Sequence, residues 1–379
     1  MQSINLKQIG IVVAVICGTA FMPGLVAGAN PPQMFIDLPA GINTPDGAAL
    51  APDGSIILSI PNFNNGALLE QKVIDKPAPE KMVIIDNNNN LETWYVFSDA
   101  DKHRETGKIG PMDAAFGPDG NLYVADMQIF WGGDHKSRLL RINVVNGKAI
   151  SMDVVVEGFI VANGMAWKGD TLFVSETILA HTPKLEDGME KPSLLSGVYA
   201  FTLAELTAGP VQLIPYNEFH SDPHLVLRLH SSNRVGFGAD GVTVDASGNL
   251  YTSVIEDGVI YKTTFDTSGK PVETRLFAKS ELMRSADGII WRQADEKIYV
   301  ADMLLNAVHA VDNNGNVETL HKNGDTNGQN GLLDQPAEVI IRGNELIIVN
   351  MDMPWNDPQG LLVNTTIDEP FTLSVIHLD

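Results

Sequence analysis

Cysteine is almost missing from this chain: the single one, Cys17, lies in an apolar amino-terminal run. Nothing beyond it can form a disulfide, act as a thiol nucleophile or bind a metal through thiolate. Positive charge is scarce as well, with 25 Lys and Arg against 47 Asp and Glu and a formal charge of -22. Such a chain cannot replace the counterions of a phosphate backbone, so nucleic-acid binding is excluded. The acidity serves solubility, or some of the carboxylates converge on a cation. Also absent are a Gly-x-Ser-x-Gly elbow, a phosphate-binding glycine loop and a His-Glu-x-x-His helix. No segment of the main body carries a sustained helical period, which points to an all-β protein.

Of the 379 residues, 44% are hydrophobic, enough to bury a large core. The first 29 read as an export signal: Lys7, an apolar run from Ile9 to Val26 broken at Pro23, and the small residues Ala27, Gly28 and Ala29. Cleavage after Ala29 would leave a periplasmic or secreted chain with no membrane contact. An uncleaved anchor is the alternative.

The main body repeats one short motif. "ADGVTVDASGNLYTS" at 239–253 has counterparts in "DGAALAPDGSIILSI" from Asp46, "MDAAFGPDGNLYVAD" from Met112 and "NGMAWKGDTLFVSET" from Asn163. Two more are "DGIIWRQADEKIYVAD" from Asp287 and "AEVIIRGNELIIVN" from Ala337. Each opens on a polar residue, or has one second, runs through apolar residues, turns tightly and returns as a β-branched or aromatic strand. Asp46, Asp113, Asn163, Asp240, Asp287 and Glu338 follow one another at intervals of 67, 50, 77, 47 and 51 residues. A unit of about 45 to 50 residues made of short strands is the period of a propeller blade. The reading is therefore one six-bladed β-propeller over residues 30–379, with loops inserted in the two long intervals. "FIDLPAG" near the start and "TLSVIHLD" at the end are expected to share a blade and close the ring.

The innermost strands of a propeller surround a channel, so the leading residues of the copies approach one another there. Several carboxylates in one narrow channel repel and desolvate each other unless a cation neutralises them. Oxygen ligands without His or Cys favour calcium, then magnesium or another divalent cation, over zinc. The plain alternative is that Asp-Gly and Asn-Gly form turns, as Asp53-Gly54 and Asp119-Gly120 do.

"ADGVTVDASGNLY" and "ANGMAW" resemble segments of the superfamily of senescence marker protein, gluconolactonase and luciferin-regenerating enzyme, with paraoxonase and strictosidine synthase more distant. The resemblance implies a six-bladed propeller, hydrolysis of lactones or related esters, and a divalent cation held by Asp46, Asn163 and Asp240. The family's first asparagine falls on Met112 and its arginine on Gly110. Asp113 or Asp287 must then complete the ligand set, or the metal is weak or absent. For the base that activates water the candidates are Asp240, Asp287 or a lid histidine, among them His220, His224, His230 and His181. Phe130 and Trp131 either line a hydrophobic mouth or pack beneath a loop. "VANGMAWKGDTLFVSET" resembles the strictosidine-synthase-like branch, in which Glu176 ends a strand near the channel. Three functions stay open: a calcium-dependent hydrolase, a metal-free enzyme of that branch, or a non-catalytic ligand-binding propeller.

Overall fold

A computed structural model describes residues 30–132, 134–181, 193–357 and 359–379. The expected export signal, residues 1–29, and the side chain of His181 lie outside that description. No helix among the described residues is long and apolar enough to cross a membrane.

Six antiparallel sheets of short strands form the six blades of a propeller. From the channel outward, blade four runs Ala239–Val244, Leu250–Val254, Val259–Phe265 and Pro271–Lys279. The innermost strands of the others are Ala48–Leu50, Pro111–Phe116, Ala162–Lys168, Ile289–Arg292 and Pro336–Arg342. Ring closure takes the expected form: Gln33–Asp37 is the outer strand of blade six and pairs with Thr372–His377. The last strand is thus locked by the first, which removes the open edge of the ring.

The cores lie between blades. Leu58 and Val83 of blade one pack with Ile347 and Val349 of blade six, and Phe173 and Val198 of blade three pack with Val242 and Leu250 of blade four. A similar apolar cluster fills every other junction. This is why a second strand such as Ile56–Ile60 reads as a nearly unbroken apolar run and is buried on both faces, whereas an outer strand such as Pro271–Lys279 is mostly exposed.

The long intervals are insertions, as the spacing implied. One, after Ile56–Ile60 of blade one, holds the short helix Asn65–Glu70. The other leaves blade three through helix Leu203–Ala208, capped by a Thr202–Glu205 capping box, and adds Val211–Gln212 as a parallel fifth strand of blade two.

Asp53-Gly54 and Asp119-Gly120 are turns, but the Asp-Gly and Asn-Gly pairs that open the copies are not. In blades three and four they occupy an irregularity in the innermost strand, between Ala162 and Met165 and between Ala239 and Val242. Their glycines are needed because neighbouring blades touch there. A Cβ on Gly164 would stand 2.4 Å from the Asp240 carbonyl oxygen, and one on Gly241 would stand 2.5 Å from that of Asp287. Gly164→Ala is therefore expected to destabilise by about 1–3 kcal/mol through overpacking of backbone that cannot yield. Denaturant unfolding checks this, and an unchanged midpoint would contradict it.

Candidate active site at the channel floor

The same irregularity turns the residue ahead of each glycine toward one end of the channel. Asp46, Asn163, Asp240 and Asp287 meet there, with Met112 in the corresponding position of blade two. They form the floor of a cavity of about 310 Å³. Asn163 Nδ2 donates to Asp240 Oδ2 at 2.8 Å, and Asp240 and Asp287 lie side by side in the cavity floor.

Asp113 and Glu338 lie one residue further along, where the other blades have glycine, and line the opposite mouth of the channel. Both oxygens of Asp113 accept backbone N–H groups, from Ala114 at 2.7 Å and Met165 at 2.7 Å. The one-residue offset thus carries Asp113 away from the cavity in which it was expected to complete a ligand set. Asp287 is the fourth oxygen-bearing residue at the floor.

Among the described residues no basic side chain is paired with these acids; the buried ion pair Asp126–Arg138 lies elsewhere. Burial pushes Asp46 and Asp113 up to about 7 and Asp240 up to about 8. Asp287 is raised well above the carboxylate range by burial and then by the charge of Asp240, and Glu338 by burial and then by Asp113. Without a cation the acids are protonated in the folded chain at a pH where the unfolded chain has ionised them. The unfolded state then binds fewer protons, so cation-free stability falls as pH rises from the ordinary value of 3.8 toward about 8. A melting series in chelator should show this decline over pH 5–8, and a rise in melting temperature across that range would contradict it.

Above the floor the walls are apolar. Blade two supplies Met127 and Phe130, blade five Met303, and the loop within blade six between Glu345–Asn350 and Thr372–His377 supplies Met351, Met353 and Trp355. Phe63, Val235, Phe237 and Ile255 complete them. Phe63 meets the Phe130 ring edge-on at 5.1 Å and Trp131 at 5.9 Å, so Phe130 lines the mouth and Trp131 flanks it.

His220, His224 and His230 stay outside the cavity. His224 stacks on Phe201 and hydrogen-bonds Asp222 at 2.7 Å, beside the outer strand of blade three. Its selection as a base is therefore corrected: the inserted helix and extra strand carry the segment outward, and His224 is absent from the cavity lining. His220 belongs to a tight turn with Asn217, and His230 faces solvent on the outer strand of blade three.

Glu176 has a different place as well. Its carboxylate accepts the N–H groups of Ile160 and Val161 at 2.9 and 2.5 Å, fastening the segment that leads into the innermost strand. Every blade has such a residue. Asn62 accepts from Asn43 N, Asp126 from Gly110 N, Glu256 from Val235 N, Asp302 from Ser285 N and Asn350 from Asp334 N. These polar residues, at or just beyond the end of the second strand in five blades and within Thr171–His181 in blade three, hold the segments from which the channel residues project. Their signal stood in the repeated endings "YVAD", "VSET" and "IIVN".

An ion at this floor would find Asp46, Asn163, Asp240 and Asp287. Among the described residues no three His, Cys, Asp or Glu side chains are grouped as a ready cage. The chemistry of the set nevertheless suits a hard cation, because its donors are oxygens and the buried acids have no other counter-charge. Met112 adds no donor a hard ion would take.

No protein-family model matches the sequence, and no curated protein matches it. Solved structures do. A gluconolactonase from Xanthomonas campestris superposes with a TM-score of 0.52 at 11% identity, over 94% of this chain and 98% of that one. The calcium-binding protein regucalcin from Agrobacterium tumefaciens gives 0.53 at 11% identity over 92% and 93%. PQQ-bound aldose sugar dehydrogenase from Streptomyces coelicolor gives 0.53 at 13% identity over 92% and 98%. The shared feature is the fold, which these proteins put to different uses.

Proposed function

We propose that this protein is an exported hydrolase of small lactones or related esters, working with calcium or another divalent cation at the channel floor. The observation that carries the proposal is the Asp240–Asp287 pair beside Asp46 and Asn163 at the base of an apolar cavity. The gluconolactonase and regucalcin neighbours agree with it at the level of fold.

Asp46, Asn163 and Asp240 would hold the ion, and when bound it supplies a positive charge for the carbonyl oxygen of the substrate. Asp287 is assigned as the base. It stands beside Asp240 at the floor, and a cation bound by Asp46, Asn163 and Asp240 would favour its ionised form, leaving it free to accept a proton. A water oxygen attacks the carbonyl carbon while its proton passes to Asp287. The acyl carbon–oxygen bond then breaks, and the proton moves from Asp287 to the departing alkoxide, leaving a hydroxy acid. The apolar walls exclude bulk water and strengthen the electrostatics at the floor.

Proton release from a panel of lactones and aryl esters, with calcium and again with chelator, tests this reading. Calcium-dependent turnover is expected. Turnover that ignores chelator would favour a metal-free enzyme, and silence in both conditions would favour a binding propeller whose ion only stabilises the blades.

A further inference from the structure

The cavity is unlike a sugar site. Apart from the four residues of its floor, its lining contains no hydroxyl, amide or charged side chain. Five methionines, Met112, Met127, Met303, Met351 and Met353, form much of the wall. A polyhydroxylated ring placed there would lose water from each hydroxyl against thioethers and aromatic edges, with no partner in return. Unbranched methionine side chains instead adapt to flexible apolar groups of differing length.

A second groove of about 460 Å³ adjoins the cavity and shares Phe63, Phe130, Met353 and Trp355 with it; Asn62, Asn65, Glu80 and Lys108 also line it, so an alkyl chain would follow its aromatic side. It continues past Trp131 and Pro354. Phe130 stands at the junction and is 49% exposed, a large apolar side chain in solvent where the two spaces meet. The cavity alone has room for the volume of about ten waters at ~30 Å³ each, so a longer ligand would run on into the groove.

The geometry points to lactones or esters carrying an unbranched alkyl chain as the substrates, with the carbonyl at the acidic floor, the first carbons among the methionines and the remainder over Phe130 toward Trp131. This rests on the hydrolytic reading above. It adds a substrate class that excludes sugar lactones.

The test takes the full mature protein with calcium and a series of p-nitrophenyl esters and lactones with side chains of two to twelve carbons, against a sugar lactone. kcat/KM is expected to climb by about fourfold per methylene, the worth of burying one CH₂. The sugar lactone should be at least about 100-fold poorer than the best alkyl lactone, since each stranded hydroxyl costs roughly tenfold. Trp131→Ala, in the groove and outside the cavity, should remove the gain for the longest chains and leave short ones unchanged. A flat chain-length profile or a preference for the sugar lactone would overturn the assignment. Tryptophan fluorescence titration with alkanols of the same lengths keeps the two readings apart. Chain-dependent binding without turnover would support the apolar class while sinking the hydrolase, and turnover with chain-independent binding would do the reverse.

Discussion

Asp240→Asn is expected to lower kcat/KM for lactone hydrolysis by about 10²–10⁴-fold and to lack the calcium-dependent rise in melting temperature expected of the wild type. It should also make the chelated protein more stable at pH 8 than the wild type in chelator. Asp240 is fully buried against Asp287 and Asn163, with its affinity for protons raised to about 8 by burial first. An asparagine keeps the shape and can still accept from Asn163, yet it has no charge to desolvate. Loss of function together with a gain in chelated stability separates an ion-holding acid from an ordinary structural residue, whose removal lowers both. Steady-state kinetics and thermal melts in calcium and in chelator supply the check. Wild-type kinetics in the variant would end the assignment.

The second large effect concerns stability alone. Asp126→Ala should cost about 3–5 kcal/mol, because it strands the buried guanidinium of Arg138. Asp126 accepts from Arg138 Nε at 2.7 Å, Gly110 N at 2.8 Å and Gln128 Nε2 at 2.7 Å. It therefore holds both an ion pair and the segment leading to Met112. The melting temperature should fall by roughly 10 °C, taking about 2–4 °C per kcal/mol. Differential scanning calorimetry would show it. A shift of a degree or less would mean that the pair carries no structural weight.

Much of this arrangement was legible in the residues. A hairpin repeated six times at blade spacing gives the propeller, and the opening polar residues of four copies, Asp46, Asn163, Asp240 and Asp287, do meet at one floor. The offset of Asp113 was legible too. Its consequence was not, because a single residue's shift at a strand irregularity changes which mouth of the channel a side chain lines. The turn reading of the Asp-Gly pairs that open the copies failed for a related reason. Those glycines serve contacts with the next blade, which local sequence does not display.

The histidines mislead for the opposite reason. Their density in one insertion suggested a lid, but direction is fixed by where the insertion docks, and helix Leu203–Ala208 with strand Val211–Gln212 takes it to the outside of blades two and three. The methionine wall was invisible because its members come from blades two, five and six and from separate loops. No window of sequence holds more than two of them close together. Glu176, Asp126, Asp302 and Asn350 were in view within their copies, and Asn62 and Glu256 stood just past theirs, yet their task of fastening the preceding segment shows only when the hydrogen bonds are drawn.

The most direct measurement is a calorimetric titration of the mature protein with calcium at pH 7–8, repeated in two buffers of different ionisation enthalpy. The account requires one site per chain, with protons released on binding as the ion takes the place of those held by the floor acids, and loss of that site in Asp240→Asn. Absence of binding, or binding that releases no protons and persists in Asp240→Asn, would contradict it.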